Sequence, residues 1–131
     1  MSKEQFIYIN DYGTKFYYSD REMKIKHRED GPAVENVNGD KWWYVNGELH
    51  REDGPAQEYA NGSKFWFLNG KLHREDGPAS EYGEDKEWWV GGKLHREDGP
   101  AIEWADGDKA WYIDDIELTK DEFNARIKVK K

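Results

Sequence analysis

A chain of 131 residues with 36% hydrophobic side chains has room for one modest core, and seven Trp, eight Tyr and five Phe must carry most of it. Net charge is −8; with Arg126, Lys128, Lys130 and Lys131 set aside, 16 basic residues face 28 acidic ones, a body at −12 that repels nucleic-acid phosphates and anionic lipid. The absence of Cys excludes a disulfide framework and a thiolate metal site, and no apolar run reaches membrane-spanning length.

The chain opens on a partial unit, residues 6–26. Its Tyr12-Gly13-Thr14-Lys15-Phe16-Tyr17-Tyr18 matches the later Asn61-Gly62-Ser63-Lys64-Phe65-Trp66-Phe67. The string His-Arg-Glu-Asp-Gly-Pro-Ala then begins at His27, His50, His73 and His95, with offsets of 23, 23 and 22 residues. A fixed period of this size marks a tandem array whose units pack on their neighbours, here from residue 27 to about 118. Inside the units, Asn38-Gly39, Asn46-Gly47, Asn61-Gly62 and Asn69-Gly70 are hairpin signals, read as two-residue type I′ turns. Asp106-Gly107 repeats the signal, and the shorter third unit carries Gly83-Glu84-Asp85 instead. In a chain of this kind Asn61-Gly62-Ser63 is a turn rather than a glycosylation site. Trp, Tyr, Phe, Val and Ile between the turns suit strands, roughly two main ones per unit, and Asp-Gly-Pro closes each unit. The array ends at Thr119-Lys120-Asp121-Glu122, a capping box flanked by Leu118 and Phe123 as a hydrophobic staple. A short amphipathic helix over about 120–128 is expected to lid the last unit, because an open sheet end invites edge pairing. The fold expected is all-β: tandem β-hairpins in an elongated, twisted antiparallel sheet, one repeat domain over residues 1–131, with a capping helix at the C-terminal end.

A two-residue loop at Asn61-Gly62 sets Tyr59 opposite Lys64 and Gln57 opposite Trp66. One face then carries Trp43 with Val45, Trp66 with Leu68, Trp88 with Val90 and Trp111 with Ile113, a core ladder. Lys41, Lys64, Lys86 and Lys109 are placed on that face, their stems over Tyr59 or Trp104. The other face is expected to hold Tyr18, Tyr44, Phe67, Trp89 and Tyr112, the variable column Trp42, Phe65, Glu87 and Ala110, and the acids Glu35, Glu58, Glu81 and Glu103. Either the sheet coils and buries this face, or an aromatic strip awaits a partner. Trp42, Tyr44, Phe65, Phe67, Trp89 and Tyr112 are the partner-binding candidates.

The repeated string shares His-Arg with kinase catalytic loops but lacks the spacing to Asn and any phosphate loop, so no catalytic residue is assigned. Equivalent histidines in parallel rows stand about 9–10 Å apart, too far for one zinc, and no metal or cofactor is expected. Asp30, Asp53, Asp76 and Asp98 read as turn acceptors, with Arg and His clasping neighbouring units. The ladder Arg28, Arg51, Arg74 and Arg96 is the one edge able to catch phosphate or carboxylate.

Trp-x-aliphatic-Asn-Gly-Lys-Leu-His, followed by a strand ending in Asn/Asp-Gly, resembles the MORN repeat over about residues 12–116. It is similar to variant MORN-like arrays of bacterial and phage proteins, including a group labelled antitoxins. The resemblance implies hairpin units in an elongated antiparallel sheet. Arg-Glu-Asp-Gly-Pro-Ala stands where standard units have a shorter Gly-x-Gly connection, so their packing geometry and the phospholipid binding of some members are not carried over. The expected function is a non-enzymatic scaffold that binds a protein with a basic surface, an inhibitor or antitoxin-like protein, and a homodimer through the aromatic face is the variant of that reading. The setting is the cytoplasm, of the host if the protein is phage-encoded, with neither nucleic acid nor membrane as partner. Two other classes compete: sequestration of a nucleotide or other phosphorylated ligand by the Arg/His edge, and an acidic nucleic-acid mimic.

Overall fold

A computed structural model describes residues 4–130, with side chains through residue 128. Two compact units divide the chain, residues 1–71 and 72–131.

In the first unit β1 (Phe6–Ile9), β2 (Lys15–Tyr18), β3 (Val34–Glu35), β4 (Lys41–Trp42), β5 (Tyr44–Val45), β6 (Glu48–Leu49), β7 (Gln57–Glu58), β8 (Lys64–Phe65) and β9 (Phe67–Leu68) follow in order, and β10 (Lys71–Leu72) meets the boundary. Strands β1-β2-β3-β4-β7-β8 lie side by side, every resolved pairing antiparallel. The second unit holds β11 (Ser80–Tyr82), β12 (Asp85–Glu87), β13 (Trp89–Val90), β14 (Lys93–Leu94), β15 (Ile102–Glu103), β16 (Lys109–Ile113), β17 (Ile116–Leu118) and α1 (Lys120–Lys130). There β11-β12-β15-β16-β17 is the order, again antiparallel. The expected all-β array of hairpins is the observed one, and neither run of strands closes on itself.

Each repeat uses one strand twice. From Lys41 to Val45 the backbone stays extended; its first half pairs with β3 and β7, and its second half with the arm β6. Trp43 joins the halves, its N–H reaching the Ala56 carbonyl (2.7 Å) while its carbonyl accepts the His50 N–H (3.1 Å). Trp88 does the same with Ala101 (2.7 Å) and His95 (3.0 Å).

The two kinds of turn differ, which corrects the register expected from sequence. Asn46-Gly47 (φ 52° and 82°) and Asn69-Gly70 (51° and 77°) are true type I′ turns, and Gly91-Gly92 and Asp114-Asp115 occupy the same position. At Asn61-Gly62 only the glycine has positive φ (95°). Gly62 N–H donates to the Tyr59 carbonyl and Tyr59 N–H to the Ser63 carbonyl, both at 2.9 Å, a three-residue loop with a bulge. That one extra residue sets Glu58 opposite Lys64 and Gln57 opposite Phe65, instead of Tyr59 opposite Lys64 and Gln57 opposite Trp66.

The faces change accordingly. Glu35, Glu58, Glu81 and Glu103 leave the aromatic face and pair across strands with Lys41, Lys64, Lys86 and Lys109. Opposite charges therefore alternate along each unit's sheet, on the face of the Trp ladder. Tyr59 moves the other way, edge-on to Trp42 and Phe65 at 6.0 and 5.8 Å between ring centroids.

The capping helix is present and extends slightly beyond its expected end. Glu122 N–H donates to Thr119 Oγ1 (3.1 Å) and Thr119 N–H to Glu122 Oε1 (2.8 Å), the reciprocal capping box. Phe123 is buried, and α1 packs on β16 and β17. No described helix is long and apolar enough to cross a membrane.

Candidate functional site

The repeated string is an internal clasp, and each of its seven positions has a structural task. Arg51 donates from Nε to Asp53 (3.0 Å) and from Nη1 to the Pro55 carbonyl (3.1 Å) and Glu58 (3.2 Å). Its guanidinium carbon lies 3.9 Å from the Trp43 ring centroid, in stacking contact. Arg28 repeats this with Asp30, Pro32, Glu35 and the Tyr17 ring, and Arg96 with Asp98, Pro100, Glu103 and the Trp88 ring. Arg74 binds Asp76 (2.9 Å) and the Pro78 carbonyl (3.0 Å), with Glu81 at 3.7 Å.

The arginine folds back over the glycine of the string, so a side chain there would crowd the guanidinium. A Cβ on Gly54 would stand 3.0 Å from Arg51 Cζ, and one on Gly99 2.9 Å from Arg96 Cζ. The alanine is wholly enclosed: Ala33, Ala56, Ala79 and Ala101 are 0% exposed, so a larger side chain would have to displace packed neighbours.

Histidine ties the string to the next type I′ turn. His27, His50, His73 and His95 accept at Nδ1 the backbone N–H of Asn46, Asn69, Gly91 and Asp114, at 2.8–3.1 Å. A neutral ring that accepts at Nδ1 carries its proton on Nε2. That nitrogen faces the glutamate two residues on, at 3.5, 3.4, 3.5 and 3.0 Å.

Between successive clasps the surface opens into a groove, one example in each unit. Loops 28–31 and 50–53 bound the first, loops 74–77 and 95–98 the second, and the floors are Trp43 with Val45 and Trp88 with Val90. Largely exposed acids such as Asp30, Glu52, Asp53 and Asp76 rim them, whereas the arginines are mostly covered. An anion approaching Arg51 meets Asp53 and Glu58 already on the guanidinium, which weighs against phosphate capture at the Arg28, Arg51, Arg74 and Arg96 edge. No group of His, Asp and Glu among the described residues is arranged to hold a metal ion.

On the opposite face the aromatic candidates fall into two settings. In the first unit Trp42 and Phe65 stand in a cross-strand column with Phe16, Val34 and Gln57. Tyr44 lies in the adjoining arm opposite Leu49, and Phe67 follows Phe65 along the strand on the same face. Burial, and secondarily the nearby Tyr59, raises the Tyr44 phenol above its ordinary value. In the second unit the column reads Ser80, Glu87, Ile102 and Ala110. Trp89 Nε1 donates to Glu87 (2.9 Å), and the Tyr112 phenol is raised by burial and then by Glu117. All six candidates are half-buried.

Sequence reasoning missed Tyr59 as a member of this patch. A signal existed: Tyr12 occupies the Asn61 position in the partial unit, and a bulky residue there disfavours a type I′ turn. Comparison of the chain with protein-family models, with curated proteins and with solved structures gives no match.

Proposed function

We propose that the chain is a non-enzymatic, MORN-like repeat scaffold that binds another protein through the aromatic face of its first unit. The partner presents a basic surface. The single observation behind this reading is the non-uniform column: Trp42 and Phe65 give way to Glu87 and Ala110 on the same backbone frame. The clasp residues recur in every repeat, whereas this column does not. Partly exposed aromatics supply the anchors in which interface energy concentrates. The exposed carboxylates around the clasps supply the steering field for a basic partner, and the resemblance to antitoxin-group arrays favours an inhibitor acting in the cytoplasm.

The test is affinity capture with wild type, Phe65→Glu and Phe65→Gln as baits, each checked for folding by circular dichroism. The glutamine is the milder change, since Gln57 already stands in that column. A protein captured by wild type, released by moderate salt and lost on both folded variants supports the reading. A specific partner bound equally by all three baits overturns it.

A further inference from the structure

The geometry points to a two-fold dimer of this chain formed by antiparallel pairing of β1 with β1 of a second copy. The dimer does not depend on the partner-binding reading: it uses the outer backbone edge of β1, and Tyr8, opposite Phe16, is its one side chain in the aromatic column.

β1 is the terminal strand of the first unit's sheet, and among the described residues no strand lies on its outer side. Its inner side is fixed by two hydrogen bonds that set the phase. Asn10 N–H donates to the Thr14 carbonyl (3.0 Å), so Asn10 faces β2. Tyr17 N–H donates away from β1, to Ala33 (2.8 Å), so Phe16 and Tyr18 face β1, opposite Tyr8 and Phe6. Backbone groups alternate along a strand. Phe6, Tyr8 and Asn10 therefore face inward, and the N–H and C=O groups of Ile7 and Ile9 face outward.

The side chains suit the same use. Phe6–Ile9 contains no charge and no Pro, and Ile7, Tyr8 and Ile9 are 51%, 48% and 55% exposed. Uncharged edge strands of this kind are templates for pairing unless something blunts them. At the other end of the chain α1 packs on the last strands, β16 and β17; β1 has no such cover among the described residues.

Self-pairing about Tyr8 makes the edge its own complement. Ile7 then stands opposite Ile9 of the second copy, and the two residues exchange both N–H···O=C bonds. Tyr8 meets Tyr8 on the other face. The register also resolves charge in a chain of net −8. The paired segment Phe6–Ile9 carries no charged residue on either strand, so no like charges are juxtaposed in the ladder. The contact continues the antiparallel ladder by which β2 already pairs with β3. A single short strand pair buries less than a standard interface, so the dimer is weak and concentration-dependent.

Sedimentation velocity from about 5 µM to about 500 µM, where weak small interfaces populate, reads the equilibrium. Wild type is expected to shift from monomer toward dimer with concentration. Ile9→Pro deletes an outward N–H while leaving every inward bond of the hairpin, and such edge positions tolerate Pro. It is expected to weaken the dimer by more than about tenfold with the melting temperature retained. Should Ile9→Pro melt early, Ile7→Lys decides, since it keeps every backbone donor and adds like charge on the edge. Wild type monomeric throughout, or either folded variant dimerising as wild type does, overturns the proposal.

Discussion

The two units share a frame and differ in what they place on it. Around Trp43 and Trp88 the same clasp recurs, with arginine over the ring, carboxylate on Nε and a proline carbonyl on Nη1. On the opposite face the first unit sets Trp42 and Phe65 around Tyr59, and the second sets Glu87, bonded to the Trp89 indole N–H, and Ala110 on either side of Ile102. Since both backbones form the same ladder, the ring column is not a requirement of the ladder. Its presence in one unit alone is the feature on which the proposed binding role rests.

The largest expected effect tests the shared half of this comparison. Trp43→Ala and Trp88→Ala each remove a half-buried ring and its stacking contact with the guanidinium of Arg51 or Arg96, at a cost of about 3 kcal/mol in chemical denaturation. The two losses should be alike, because each ring carries the same stacked arginine on the same backbone frame. A clear disparity would mean that the clasp is not one device used twice. A smaller loss, about 1–3 kcal/mol, is expected for His73→Ala or Asp76→Ala, which strip an acceptor from Gly91 N–H or from Arg74 Nε.

The differing half is read by Trp42→Ala against Glu87→Ala. The first opens a gap beside Tyr59 and should cost about 2 kcal/mol, less than Trp43→Ala because no arginine stacks there. The second loses one bond to an indole N–H and should cost about 1 kcal/mol or less. Equal losses at Trp42 and Trp43 would make the column part of the frame and remove the reason to assign it to binding.

How much of this the sequence carries depends on how local each signal is. The capping box, the type I′ turns at Asn46 and Asn69, and the period are written in adjacent residues, so they are legible without a structure. The register is not, because Asn-Gly serves both a two-residue turn and a three-residue loop, and the choice at Asn61 moves Tyr59 and the Glu column to new faces. The architectural role of His-Arg-Glu-Asp-Gly-Pro-Ala is legible from its recurrence. The ring beneath each arginine is not, since Trp43 and Arg51 meet across a turn that only folding closes. The shared face of the aromatic residues is therefore legible from strand alternation, and their acidic neighbours are not.

Alkaline titration separates the two units most finely. Burial raises Tyr44 above the ordinary value of 10.0, with the neighbouring Tyr59 as the second cause. Burial also raises Tyr112, but its second cause is the Glu117 carboxylate. A raised phenol favours the protonated form in the fold, so its stabilising contribution is complete below pH 10 and is lost as pH climbs through the folded value. Stability should therefore fall above about pH 10, and Tyr44→Phe or Tyr112→Phe should each lessen that fall. Salt distinguishes them. A carboxylate near a partly solvated phenol is screened by added salt, whereas burial among rings is not. Ultraviolet difference titration of each single variant should show the Tyr112 component moving down at high ionic strength while the Tyr44 component stays. Components that move together would show that the two faces share one electrostatic setting, and the contrast between a ring-lined first unit and an acid-lined second unit would fail at its most sensitive point.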